Sequence, residues 1–117
     1  MSQQPESETA IQRLGAVIGL AEENAEKYIR LHAAVWPDVL EALRRANVTN
    51  YSIFWHDGLL FSYMEYRGSN LAADMASIAN DPATRRWWDV VMPLQRTMRS
   101  SPDEEWWVPM DEVFHLD

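Results

Sequence analysis

Asp57-Gly58 sits between two runs, VTNYSIFWHD and LLFSYMEYR, that alternate polar with apolar or aromatic side chains. This dipeptide is suited to a two-residue turn with positive φ at both positions, the turn whose twist matches that of antiparallel strands. The middle of the chain is therefore committed to a hairpin. Tyr51, Ile53 and Trp55 share one face of its first strand, and Asn50, Ser52 and Phe54 share the other. A lone hairpin is marginal in water, so the flanking sequence must supply further strands and helices to cover it.

It does so in a definite order. Arg13–Leu20, RLGAVIGL, is a short apolar run that suits a largely buried strand. AEENAEKYIRLHAAV follows as a helix with Glu22 and Glu23 at its start, and with Ala25, Tyr28, Ile29 and His32 at helical spacing. Pro37 cannot continue that helix and opens a second, PDVLEALRRA, so the chain turns between His32 and Pro37. Val39, Leu40, Leu43 and Ala46 form its apolar stripe. After the hairpin, Ser69 or Asn70 can cap NLAADMASIAN, with Leu71, Met75, Ile78 and Ala79 facing inward. Asp81-Pro82 starts another helix through TRRWWDVVM, which Pro93 bends or ends. QRTMRSSPDEEWWVP reads as a long loop, and DEVFHL as a closing strand with Val113 and His115 opposite Phe114 and Leu116.

Strand, helices, two strands, helices, strand is the order of an α+β, ferredoxin-like βαββαβ domain, an antiparallel sheet with helices on one face. Residues 1–11 are polar and predict a flexible tail, which leaves 12–117 as one domain. The strands offer apolar or aromatic side chains to both sheet faces, so a second copy of the chain is the expected cover for the open face. That predicts a homodimer of the dimeric α/β-barrel type.

Charge and composition narrow the function. A net charge of −8 repels phosphate backbones and anionic membranes, so neither nucleic acid nor a membrane is an expected partner. No apolar run is long enough for a membrane span, and the first residues lack the pattern of a secretory signal, so a cytoplasmic location is expected. Without cysteine there are no disulfides, thiolate metal sites or thiol nucleophiles. The three histidines are scattered and no carboxylates have ligand spacing, so no metal is expected. Glycine-rich phosphate loops and a serine-hydrolase elbow are absent, so no cofactor is expected.

Six tryptophans, with Trp87-Trp88 and Trp106-Trp107 in pairs, are the compositional peculiarity. His32 follows Tyr28 by one helical turn, which brings imidazole and phenol onto one helix face. Histidine exchanges protons near neutral pH at little energetic cost, although a half-buried core role also fits the spacing. Trp87 and Trp88 point about 100° apart on a helix; one can pack inward while the other offers a flat apolar wall and an N–H donor. Trp106-Trp107 lies in the expected loop, where it could equally serve a dimer contact. Tyr51 can direct a phenol into a cleft or serve as an ordinary sheet aromatic. Glu22, Glu23, Asp103, Glu104 and Glu105 read as solvated charge. One acid/base histidine, phenols and indoles suit a small, uncharged, polyhydroxylated substrate and simple proton transfer.

Four strings occur in order: Y-I-R-L-H-A-A-V-W-P-D-V from Tyr28, N-Y-S-I from Asn50, R-W-W from Arg86 and E-V-F-H-L from Glu112. Together they resemble the motifs of the L-rhamnose mutarotase family, over Arg13 to Asp117. The resemblance implies a dimeric ferredoxin-like protein that interconverts the α and β anomers of L-rhamnose without a cofactor. It implies His32 as proton donor, Tyr28 and Tyr51 as substrate-contacting phenols, and Trp87 and Trp88 as substrate-contacting indoles. His32 would protonate the ring oxygen, while the base stays open between water, a phenol and a carboxylate. MPLQRTMRSSPDEEWWVPMDE departs from the shorter Asn/Pro-rich segment of well-known members, which leaves L-fucose as an alternative sugar. Two other readings are a cofactor-free monooxygenase on the same fold and a small-ligand-binding protein without chemistry.

Overall fold

A computed structural model describes residues 10–117; the expected tail therefore lies mostly outside the described residues, and Ala10 and Ile11 are exposed coil. The chain forms β1 (Gln12–Leu20), α1 (Glu22–His32), α2 (Pro37–Arg45), β2 (Val48–His56) and β3 (Leu59–Tyr66). It continues through α3 (Leu71–Asn80), α4 (Pro82–Val91), one 3₁₀ turn (Met92–Leu94), β4 (Gln95–Arg96) and β5 (Val108–Met110). The architecture is α+β, a curled antiparallel sheet with four helices. Among the described residues no helix is long and apolar enough to cross a membrane.

The hairpin forms as its turn chemistry requires. Asp57 and Gly58 both have positive φ, 51° and 78°, and the Gly58 carbonyl accepts from the backbone N–H of Leu20 at 2.8 Å. β3 pairs with β1 along the length of both strands, Gln12 with Tyr66 through Gly19 with Leu59. The strand order is β2-β3-β1-β4, with β5 on the same side of β1. The expected closing strand does not form. DEVFHL is not a strand; the place beside β1 is filled by β4, opposite Gly19 and Leu20, and by β5, opposite Gly15 to Val17. Both short strands begin inside the stretch read as a loop. Their backbones pair with a long strand, an option that side-chain periodicity over two or three residues cannot signal.

Ile18, Leu20 and Leu60 project from one sheet face into a core with Ala25, Tyr28, Val39, Ala83, Trp87 and Val91 from the helices. Each helix start carries its own signal. Asn70 accepts from the Ala73 N–H at 3.1 Å, and Asp81 from the N–H and hydroxyl of Thr84, each at 2.9 Å. Pro37 and Pro82 occupy first-turn positions, and Asn47, at φ 67°, ends α2 in the left-handed conformation. One side chain of the expected α1 stripe is misassigned: Ile29 is half exposed, because Ala25, Tyr28 and His32 define the buried line and residue 29 lies about 100° from residue 28.

Candidate active site

Between helices and sheet lies a cavity of about 370 Å³. That is near the lower end of small-molecule sites, which run to roughly 300–1,000 Å³. All five residues singled out from the sequence, Tyr28, His32, Tyr51, Trp87 and Trp88, line it.

α1 ends at His32, so the i,i+4 pair sits on the helix's final turn. The rings of Tyr28 and His32 stack with centroids 4.1 Å apart. Nδ1 of His32 lies 2.9 Å from the backbone carbonyl oxygen of Tyr28. A carbonyl can only accept, so Nδ1 carries the proton, and in the neutral ring Nε2 presents a lone pair. Among the described residues no protein atom hydrogen-bonds Nε2. Burial lowers the His32 pKa from its ordinary value, opposed by the hydrogen bond to the Tyr28 carbonyl. The resting imidazole at neutral pH is therefore uncharged.

Trp87 is buried and packs edge-on against His32 (5.2 Å) and against Trp36 (5.1 Å). Asp81 and Pro82 fix the start of α4, and that start sets where this indole arrives. Trp88, half-buried, continues the apolar wall.

Tyr51 reaches the cavity by a backbone irregularity. β2 opposes β3 from Val48 and Thr49 onward, but the register shifts between Thr49 and Ser52, with Asn50 at φ 47°. This bulge inserts one residue and reverses the alternation. Val48 and Tyr51, an odd distance apart, thereby face the same side. Asn50 itself turns to the Glu65 carboxylate, 2.7 Å away, and takes no part in the cavity. Although Tyr51 is 39% exposed as a residue, desolvation raises its phenol pKa.

The Tyr28 hydroxyl accepts a hydrogen bond from the Gln95 side-chain amide at 3.0 Å. Burial pushes its pKa up to about 12, against the lowering effect of that bond and with a smaller contribution from Tyr51. The oxygen of the same amide accepts from the Trp106 indole N–H at 2.8 Å. Trp106 and Trp107 thus lie in the expected loop and also form part of the cavity wall, and Glu105 beside them, exposed as a solvated charge, borders the cavity as well. Sequence reasoning missed Gln95 altogether. A glutamine in a polar stretch carries no signal of its own, and its partners are 67 and 11 residues away.

The other two histidines lie elsewhere. His56 is exposed beside the turn, and His115 pairs with Asp117 at 2.8 Å. The described residues bring no group of three or more His, Asp or Glu together in metal-binding geometry.

A family model described as L-rhamnose mutarotase matches residues 13–116. The chain belongs to the L-rhamnose mutarotase family. It is 35% identical to an L-rhamnose mutarotase of Lactiplantibacillus plantarum, over 90% of this chain and 98% of that one. It is 33% identical to one from Listeria monocytogenes, covering 91% and 99% respectively. The crystal structure of an L-rhamnose mutarotase from Formosa agariphila superposes with a TM-score of 0.70 at 25% identity, covering 91% of this chain and 99% of that one. Rhamnose mutarotases are isomerases, so the protein is an enzyme of that class.

Proposed function

We propose that this member of the L-rhamnose mutarotase family interconverts the α and β anomers of L-rhamnose by proton transfer at His32. The observation that carries the reading is the His32–Tyr28 stack, with Nε2 unpartnered among the described residues in a small aromatic-walled cavity. Trp87 and Trp88 offer flat faces to the sugar's methyl and C–H groups, while Tyr28 and Tyr51 offer hydroxyls to its oxygens.

Neutral His32 also supplies the base that residue types alone leave open. Nε2 takes the proton from the anomeric hydroxyl as the bond between the anomeric carbon and the ring oxygen breaks. The anomeric oxygen becomes the aldehyde oxygen. The imidazolium so formed returns the proton to the ring oxygen, which leaves as a hydroxyl. Both oxygens are bonded to the same carbon, so one nitrogen reaches each with a small shift. The aldehyde then rotates, and the reverse sequence closes the ring on either face. A positioned acid–base group contributes roughly 10²–10⁴-fold, sufficient for a reaction that sugars already undergo slowly in water.

The protein acts in this reading as a cytoplasmic, cofactor-free homodimer with a ferredoxin-like fold. The strand order β2-β3-β1-β4 supports the fold. A second copy is supported by the C-terminal segment, where Val113, Phe114 and Leu116 are 94%, 79% and 79% exposed, and by Phe54 on the sheet face away from the helices. Apolar side chains so exposed are stable against a partner surface.

Saturation transfer between anomeric proton resonances tests the activity, using L-rhamnose and then L-fucose with wild type and His32→Ala. Accelerated exchange of L-rhamnose that largely disappears in the variant is expected. Absence of acceleration for both sugars at high enzyme concentration would refute the assignment, and faster exchange of L-fucose would reassign the substrate.

A further inference from the structure

We infer that Gln95 is a positioning residue that directs the Tyr28 hydroxyl proton into the cavity, its own amide being oriented by Trp106. The inference rests on the mutarotase reading and adds to it the hydrogen-bond polarity of the site. Trp106 Nε1–H can only donate, so the Gln95 atom 2.8 Å from it is the amide oxygen. The other end of the amide is then NH₂, which has no lone pair available as an acceptor, and this end lies 3.0 Å from the Tyr28 oxygen. Tyr28 is therefore the acceptor in that bond, and its O–H is left to turn towards a sugar oxygen. An amide held at one end only could flip and offer its oxygen to the phenol, which would then spend its proton on the protein.

Both ends of this relay are anchored. Gln95 lies opposite Leu20 in the β1–β4 pairing, and Leu20 is fully buried. Trp106 is held by its carbonyl, which accepts from the Thr97 hydroxyl at 2.5 Å, and by the Arg99 guanidinium 5.3 Å from its ring centre. The loop carrying Trp106-Trp107 thus acts on the reacting end of the site through one side chain. Tyr28 is suited to the role because burial keeps its phenol protonated at any physiological pH.

Two substitutions separate direction from simple tethering. Gln95→Glu keeps an acceptor for the Trp106 indole but presents a second acceptor to Tyr28, so the phenol donates to the carboxylate. Gln95→Leu loses the tie to Trp106 and leaves the phenol unopposed. If direction matters, anomer exchange of L-rhamnose falls further in Gln95→Glu than in Gln95→Leu, the former by about tenfold, as expected for one oriented hydrogen bond. If Gln95 merely braces the loop, the order reverses, and the inference is overturned. The carboxylate's charge is controlled for in a Tyr28→Phe background. There Gln95→Glu has no further effect if it acts through the phenol proton, and an undiminished loss there would equally overturn the inference. Urea unfolding of each variant confirms that the comparison is between folded proteins. Wild type that accelerates exchange while the variants order the wrong way sinks this inference alone. Wild type that does not accelerate exchange sinks the mutarotase reading and this one with it.

Discussion

Gly19→Ala is expected to disturb the site from the far side of the sheet. A Cβ built at Gly19 would sit 2.7 Å from the backbone oxygen of Arg96, closer than real Cβ atoms approach. Backbone must move, and the weaker partner is β4, which pairs with β1 over two residues only. Gly→Ala in unstrained backbone gains about 0.4–1 kcal/mol by restricting the unfolded chain. Overpacking of this kind costs about 1–3 kcal/mol. Taking the middle of each range, the net loss is about 1.3 kcal/mol. With a urea m-value of about 1.5 kcal/mol/M, reasonable for a chain of this size, the unfolding midpoint drops by about 1 M. Gly15→Ala is the internal control. Its Cβ meets the Cε of Met110 at 3.2 Å, the free end of a flexible side chain that can swing away, so no loss is expected. Because β4 carries Gln95, Gly19→Ala also slows anomer exchange where Gly15→Ala does not. Equal urea midpoints for the two variants would refute the reasoning, since the same glycine-to-alanine change in the same strand would then be insensitive to what the methyl meets.

Activity is expected to rise with pH through a value below the ordinary histidine pKa of 6.5 and then to stay level, because burial lowers the His32 pKa and the proposed reaction starts from the neutral ring. A profile that falls across that range would instead make imidazolium the resting reactant. The Tyr28 pKa of about 12 predicts no second loss of activity below strongly alkaline pH. Asn70→Ala removes the cap of α3 and lowers stability by about 1 kcal/mol in urea unfolding, whereas Asn70→Asp, which keeps the acceptor, leaves it nearly unchanged. Replacing Val113, Phe114 and Leu116 together with serine shifts sedimentation from dimer towards monomer; a wild type that sediments as a monomer would refute the dimer itself.

Local chemistry accounts for what could be read along the chain. A positive-φ turn at Asp57-Gly58, helix starts at Pro37 and Pro82, the caps at Asn70 and Asp81, and the one-turn spacing of Tyr28 and His32 each depend on residues within about four positions of one another. Interactions of that range are encoded by side-chain type and period, so they are legible without a fold. The motif strings joined them to a family and thereby to the residues of the cavity.

Other features depend on chain segments far apart, and only the packed structure decides them. The closing strand expected at DEVFHL is one: β-pairing is backbone chemistry, and β1 took the nearer β4 and β5 while DEVFHL stayed outside the sheet. Ile29 is another, since a helix shows two apolar neighbours but its rotation against the sheet buries one. The role of Gln95 is the clearest. Its sequence neighbours say nothing of Tyr28 or Trp106, and its polarity is set by which of two amide ends meets a group that can only donate. The sequence by itself determined the helices, the hairpin and the placing of Tyr28 and His32 on one helix face. Tertiary structure decided which strands flank β1 and which way the hydrogen bonds around that histidine's neighbour run, because those depend on groups that folding alone brings within 3 Å.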